Sequence, residues 1–320
     1  MVCILYDLLF YSNVKVIDLI NQKKISRPTL SFEIFPPKPA SSLNIVEVAN
    51  ELARFEPDFI SVTYGAGGST QDKTIAIASL IKKNYGIETI AHLTCISFTR
   101  AQIESTANEL VKNNIENVLA LRGDLPTDPN FKFPTPLHFA HASDLVEYLN
   151  LNYKFCLGGA FYPEGHTESV DLASDLFYTQ HKIKSGMNFL ISQAFFDNRF
   201  FYRARSELRA SHYETPLLAG IMPILSIKQI EHIIQLSGCS IPTELAELLN
   251  KHRGDPDALF EAGIEYTACQ IEDLLKNNVD GIHIYTMNNP KAVNALLKRI
   301  CYHQIGRAHV WTPVTSSYLV

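Results

Sequence analysis

The sequence predicts an α/β fold, a single-domain (β/α)8 TIM barrel, on three observations. Short apolar runs alternate with amphipathic helical stretches, giving about eight strand–helix units over roughly 270 residues, the count and length of such a barrel. Runs such as Val118-Leu119-Ala120-Leu121 are apolar at consecutive positions, the pattern of a parallel strand buried on both faces. No hairpin signal interrupts them. The rival is a doubly wound open sheet, which usually has a Gly-rich turn after its first strand. Here that turn is Phe35-Pro36-Pro37-Lys38, which does not cradle a pyrophosphate in that way.

Amphipathic patterning begins near Val14-Lys15-Val16-Ile17, so residues 1–24 read as an extension with a leading helix. The first strand is expected over 30–35, ended by Pro36-Pro37, and a helix over 43–55. Strand 58–64 runs into Gly65-Ala66-Gly67-Gly68. Helix 72–84 leads to strand 88–95, and Thr99 is placed to cap a helix ending near 113. Strand 117–121 ends in Arg122-Gly123-Asp124, followed by a polar, proline-rich loop to Pro136. Helix 143–150, strand 154–161 and a long helix 169–185 follow, with Gly186 at the C′ position. Strand 189–193, helix 198–211 and strand 216–221 continue the alternation. The stretch 226–277 is helical, broken near 238–242 and 253–256. Strand 281–285 and helix 290–300 close the barrel, which is expected over 25–303. Residues 304–320 do not fit the alternation. Ile305-Gly306-Arg307-Ala308-His309-Val310 resembles a translated sequencing adapter, and the segment reads as a non-native tail.

The 320 residues have a net charge of −5 and a pI near 6.1, so no nucleic-acid partner is indicated. Cys3, Cys95, Cys156, Cys239, Cys269 and Cys301 show no paired spacing, which argues against a zinc site or disulfide framework and for a reducing cytoplasm. No apolar run reaches membrane-spanning length, and Met1–Phe10 lacks the basic start of a signal peptide.

The expected strands end in Glu33; Thr63 and Tyr64; His92 and Thr94; Arg122 and Asp124; Tyr162 with His166 beyond it; Gln193; and Tyr285. One polar strand end is unremarkable, since a solvated turn or a satisfied buried histidine explains it. In a barrel, however, all of these ends converge on one face, where chemistry is placed. Glu33 is the most unusual. Phe32, Ile34, Phe35 and two prolines flank it, an apolar setting that favours a protonated acid. His92, Asp124, His141 and His166 offer metal ligands, but no HxH or HExxH spacing occurs, so no metal is expected. No G-x-S-x-G nucleophile motif occurs either.

Six motifs occur in order. They are Ser31-Phe32-Glu33-Ile34-Phe35-Pro36-Pro37-Lys38, Ser61-Val62-Thr63-Tyr64-Gly65-Ala66, Ala91-His92-Leu93-Thr94-Cys95, Leu121-Arg122-Gly123-Asp124-Leu125-Pro126, Tyr162-Pro163-Glu164-Gly165-His166 and Gln193-Ala194-Phe195-Phe196-Asp197. Over about residues 25–301, this series resembles the methylenetetrahydrofolate reductase family. The resemblance implies a barrel with bound FAD. It also implies reduction of 5,10-methylenetetrahydrofolate to 5-methyltetrahydrofolate, with NADH or NADPH as hydride source in a ping-pong order.

At matching positions the resemblance implies Glu33 as the acid that protonates a folate nitrogen. It implies Asp124 as a carboxylate near both flavin and pterin. Gln193 and Gln229 are implied as folate contacts, with Gln193 also meeting the nicotinamide. Implied flavin contacts are Thr63, Tyr64, Ala66, His92, Arg122, Gly123, Ala142, Tyr162, His166, Asp175 and Lys182. Tyr178 and His181 stand where the enterobacterial form has Asn and Arg on its flavin-binding helix, and a protonated His181 would meet a phosphate more weakly than Arg. Asn289 stands where Arg is common, and Ile233 where an aromatic often packs on the substrate. A homo-oligomer in the cytoplasm is expected, with an electron-transfer subunit as a further partner. The alternatives are another barrel flavoenzyme, such as proline dehydrogenase, or a non-catalytic flavin-binding subunit.

Overall fold

Strand and helix alternate along the chain, as the apolar runs predict. The computed structural model describes residues 14–23, 26–37, 43–64, 71–125, 128 and 130–300. The expected tail over 304–320, the start of the leading extension, and Cys3, Lys38, Ala66, Pro126 and Cys301 lie outside them. The elements are α1 (Val16–Lys23), β1 (Thr29–Ile34), α2 (Ile45–Ala53), β2 (Phe59–Val62), α3 (Gln71–Tyr85), β3 (Glu88–Thr94), α4 (Arg100–Lys112), β4 (Asn117–Leu121), α5 (Ala142–Asn152), β5 (Cys156–Phe161), α6 (Leu172–Lys184), β6 (Phe189–Ser192), α7 (Asn198–Ala210), β7 (Leu217–Ile221), α8 (Ile227–Ser237), α9 (Thr243–Lys251), α10 (Pro256–Lys276), β8 (Gly281–Tyr285) and α11 (Pro290–Arg299).

The eight strands pair in parallel in chain order, and β8 returns to β1, closing the barrel. The expected single-domain (β/α)8 fold is therefore the observed one. Local chemistry sets several helix ends. Thr99 and Gln102 form a reciprocal capping box at the start of α4. Asp255 caps α10, with Pro256 at the first helical position. Gly238 closes α8 in the left-handed conformation, and Pro242 precedes α9, so the expected break at 238–242 is present. Helix α6 begins at Leu172 rather than 169, because the Asp171 side chain accepts from Ser174 N–H and fixes the cap there.

Strand alternation sorts the side chains. Phe32 and Ile34 point outward and are fully buried in the main core, which also takes in apolar residues of the surrounding helices. Ser31 and Glu33 point inward, in register with His283 and Tyr285 of β8. Helix α1 packs under the interior at the N-terminal end of the barrel. Its Val16 and Ile20 meet Phe59, Ile90, Leu119, Cys156, Phe189, Ile191 and Leu218. The Val16 N–H donates to Asn117 Oδ1 at 2.8 Å, which ties the helix to the start of β4. That end is filled with apolar atoms, so the opposite face is left for polar groups.

Candidate active site

Glu33 ends the inward row of β1, and its side chain is 18% exposed at the C-terminal mouth. Two imidazoles flank it: His92 Nε2 lies 3.6 Å and His283 Nε2 3.7 Å from Glu33 Oε2. The expected apolar setting is therefore corrected. Phe32 and Ile34 are neighbours of Glu33 in sequence but lie on the other face of the strand, as the period of two requires.

His283 is fully buried in mid-strand. Its Nδ1 lies 2.7 Å from Ser31 Oγ and its Nε2 3.3 Å from Ser61 Oγ, and its ring stacks on Phe59 at 6.2 Å. Inspection of strand ends missed His283, Ser31 and Ser61 because they lie one layer deeper. The alternation Thr29, Ser31, Glu33 on β1 was the available signal. Burial, reinforced by His283, pushes His92 down to about 4 against the pull of Glu33. His92 is thus a neutral imidazole at neutral pH, and its buried Nε2 has no hydrogen-bond partner. Tyr285 Oη donates to the Ser192 carbonyl at 2.6 Å, across Gly220, where a Cβ would collide with both groups. Burial raises the Tyr285 phenol well above its ordinary range, with Glu33 and Tyr162 adding to the shift.

The loops after β4 and β5 form a second sector. Gly123 has φ +83°, and a Cβ there would press on Thr94, so the chain turns tightly between Arg122 and Asp124. Arg122 grips Glu168 with both terminal nitrogens, at 2.5 and 2.9 Å. Asp124 is exposed, and its charge helps burial raise the Tyr162 phenol. The Tyr162 ring meets the His166 ring edge-on at 4.5 Å. Asp175 accepts from His166 N–H and Ser169 Oγ, both at 3.1 Å. His166 Nδ1 accepts from Glu168 N–H at 3.1 Å, so the neutral ring carries its proton on Nε2. Lys182 Nζ donates to the Ala160 carbonyl at 2.5 Å, and burial lowers it to about 8 although Asp175 opposes this.

A sequence profile described as Methylenetetrahydrofolate reductase matches residues 17–301. The chain belongs to the methylenetetrahydrofolate reductase family. It is 31% identical over 268 residues to the Escherichia coli 5,10-methylenetetrahydrofolate reductase, covering 83% of this chain and 88% of that one. The corresponding Pectobacterium carotovorum protein is 30% identical over 274 residues, covering 84% and 89%. Methylenetetrahydrofolate reductase 2 of Schizosaccharomyces pombe is 31% identical over 304 residues, but the match takes in 89% of this chain and 47% of the relative. The chain thus spans about half the length of the fungal and plant relatives it matches. In fold it resembles a Clostridium thermocellum protein described as binding two copies of 5-methyl-5,6,7,8-tetrahydrofolic acid, with TM-score 0.58 and 15% identity over 88% of this chain and 99% of that one.

The remaining family positions are spread around the mouth and beyond it. Thr63 directly follows β2, where its N–H donates to Ile34 O at 2.9 Å, and the Tyr64 ring packs edge-on against Phe98. Ala142 opens α5, and the His141 ring before it stacks on exposed Tyr178 at 6.3 Å. His181 faces away, toward Ser185, lining a shallow cavity of about 170 Å³ between α5 and α6 with Glu147 and Lys184. Gln193 Oε1 accepts from Ala194 N–H at 2.9 Å. Both ends of the Gln229 amide are taken up by its own loop, through Leu225 N–H and Pro223 O. Asn289 is the N-cap of α11, and Ile233 is buried under α8.

The residues present fit a polar, anionic cofactor on two counts. His92 has an orphaned buried nitrogen, and Lys182 is a half-buried cation whose hydrogen-bond partner is a neutral carbonyl. Among the described residues no His, Cys, Asp and Glu cluster could hold a metal ion, and no helix is long and apolar enough to cross a membrane.

Proposed function

We propose that the chain reduces 5,10-methylenetetrahydrofolate to 5-methyltetrahydrofolate with FAD as cofactor and NADH or NADPH as hydride source. The observation that supports this most is Glu33 at the mouth between two imidazoles, in a chain of this family. Arg122, Gly123, His166, Asp175 and Lys182 would hold the flavin, with Thr63, Tyr64, His92, Ala142, Tyr162 and Tyr178 around it; Ala66 and His181 belong to this set by resemblance alone. When bound, the flavin supplies the hydride chemistry.

The protein supplies the proton. Glu33 delivers it to the folate nitrogen as the carbon–nitrogen bond of the one-carbon bridge opens to an iminium. The hydride then completes the methyl group, and Glu33 regains its proton from solvent. The reaction consumes one proton with each NADH or NADPH. His92 stays neutral, so it does not hold Glu33 in a salt bridge. Asp124, at the exposed mouth, stabilises the cationic iminium, and Gln193 would position the pterin, with Gln229 a folate contact by resemblance alone. Reductant and folate use one mouth in turn, a ping-pong order, in a homo-oligomeric cytoplasmic enzyme.

The experiment is anaerobic. The flavin-loaded protein is offered NADH, NADPH or reduced ferredoxin, then methylenetetrahydrofolate. Bleaching near 450 nm by a nicotinamide, its return on adding folate, and formation of methyltetrahydrofolate are expected. Reduction by ferredoxin alone would overturn the nicotinamide assignment and favour an electron-transfer subunit. A protein that takes up no flavin would overturn the whole reading.

A further inference from the structure

Among the described residues six non-glycine residues take left-handed backbone: Glu56, Asn114, His212, Asn278, Met287 and Asn288. Asn114, His212 and Asn278 directly follow the C-caps of α4, α7 and α10, and Glu56 stands two residues after that of α2, where such a residue ordinarily stops a helix. Met287 and Asn288 differ. They are consecutive, with φ +52° and +51°, and they follow a strand at the C-terminal mouth. Left-handed backbone costs about 1–2 kcal/mol for an ordinary residue, and it persists where surrounding contacts enforce it.

Those contacts converge on the strand that carries Glu33. Asn288 is buried, and its side-chain amide pairs with both backbone groups of Phe35. Oδ1 accepts from Phe35 N–H at 3.1 Å, and Nδ2 donates to Phe35 O at 2.8 Å. The amide imitates one more residue of β8 after the strand has ended at Tyr285. The Asn288 N–H donates to Thr286 Oγ1 at 3.1 Å, and Thr286 Oγ1 donates to Glu33 O at 2.6 Å. Thr286 N–H reaches the same carbonyl at 3.3 Å. The backbone of Glu33 is thus held at its own carbonyl and two residues on, by one four-residue turn whose Thr286 and Asn288 are buried. Prolines 36 and 37 follow Phe35 and offer no N–H to any other partner.

We infer that Asn288 and Thr286 form a clasp that positions Glu33, setting the place from which its carboxyl delivers the proton. This rests on Glu33 being the acid of the proposed reaction. Asn288 and Thr286 are positioning residues, not catalytic ones. The left-handed turn is what brings the Asn288 amide back over Phe35.

The test uses Asn288→Gly, because glycine accepts the left-handed backbone while deleting the amide. The flavin-loaded variant is reduced with dithionite and reoxidised with methylenetetrahydrofolate in a stopped-flow instrument, beside wild type and Glu33→Gln. The limiting reoxidation rate is expected to fall about 10- to 100-fold, with the half-saturating folate concentration, flavin spectrum and melting temperature little changed. Thr286→Val is expected to slow the same step, and Thr286→Ser, which keeps the hydroxyl, to restore it. A wild-type limiting rate in Asn288→Gly, beside a lost one in Glu33→Gln, would overturn the clasp alone. A higher half-saturating concentration at an unchanged limiting rate would do the same, making the turn part of folate binding. A normal rate in Glu33→Gln would overturn the acid assignment and the clasp's purpose together.

Discussion

The two sides of the barrel interior are built from opposite chemistry. On β8, β1, β2 and β3 the inward positions toward the mouth hold His283, Ser31, Glu33, Ser61 and His92, joined by short polar contacts, with Phe59 and Ile90 in the apolar layer below them. On β4 to β7 they hold Leu119, Cys156, Phe189, Ile191 and Leu218, closed from below by Val16 and Ile20. Both sides are buried, so burial does not separate structure from chemistry here. A polar group kept dry costs free energy unless it is satisfied, as His283 is by Ser31 and Ser61, and this restricts the residues that side can use. The apolar side needs only volume and shape. The proposed proton transfer therefore falls on the polar side and the packing on the apolar one, and substitutions on each side can separate the two.

The largest effect on the apolar side is expected from Phe189→Ala. Its ring is fully buried and fills the space over Gly158, where a Cβ would collide with it. The variant should lose about 3–5 kcal/mol, read by urea denaturation, while any protein that remains folded keeps its folate rate. Little loss of stability would mean that the interior is not packed as described.

The next effect is a pH dependence on the polar side. Burial holds His92 at about 4 in the folded protein, against an ordinary 6.5, with Glu33 and His283 facing it. The unfolded chain therefore binds the extra proton first. The stability this contributes is present above pH 6.5 and is lost as pH falls toward 4, by something on the order of 2–3 kcal/mol. His92→Gln should flatten the fall in stability between pH 7 and pH 4.5. An equal slope in both proteins would show that another group is responsible.

How much of this was legible depended on which periodicity a residue obeys. The strands were visible because both faces are buried, so they read as apolar runs. The cap at Thr99 was visible because capping is local. The surroundings of Glu33 were not legible. Phe32, Ile34 and Phe35 suggested an apolar pocket, while His92 and His283 lie far away in sequence and are brought in only by barrel closure. His283 was missed because it sits in mid-strand, one layer below the ends that barrels use for chemistry. The leading helix read as an extension, and its role beneath the barrel depends on seven residues spread over six strands. The amides of Gln229 and Asn288 could not be assigned from sequence, because a turn's hydrogen bonds depend on its backbone angles.

The most direct test of the contrast between the two sides is Glu33→Gln, followed through each half of the reaction. The melting temperature and the reduction of the flavin by the nicotinamide should stay near wild type, because neither needs a proton delivered to a nitrogen leaving group. Reoxidation by methylenetetrahydrofolate should fall by about 10²–10⁴-fold, the usual effect of removing a general acid. If Glu33→Gln slows both halves equally, or neither, or melts far below wild type, then Glu33 is a structural residue and the polar side of the barrel is not where the proton is delivered.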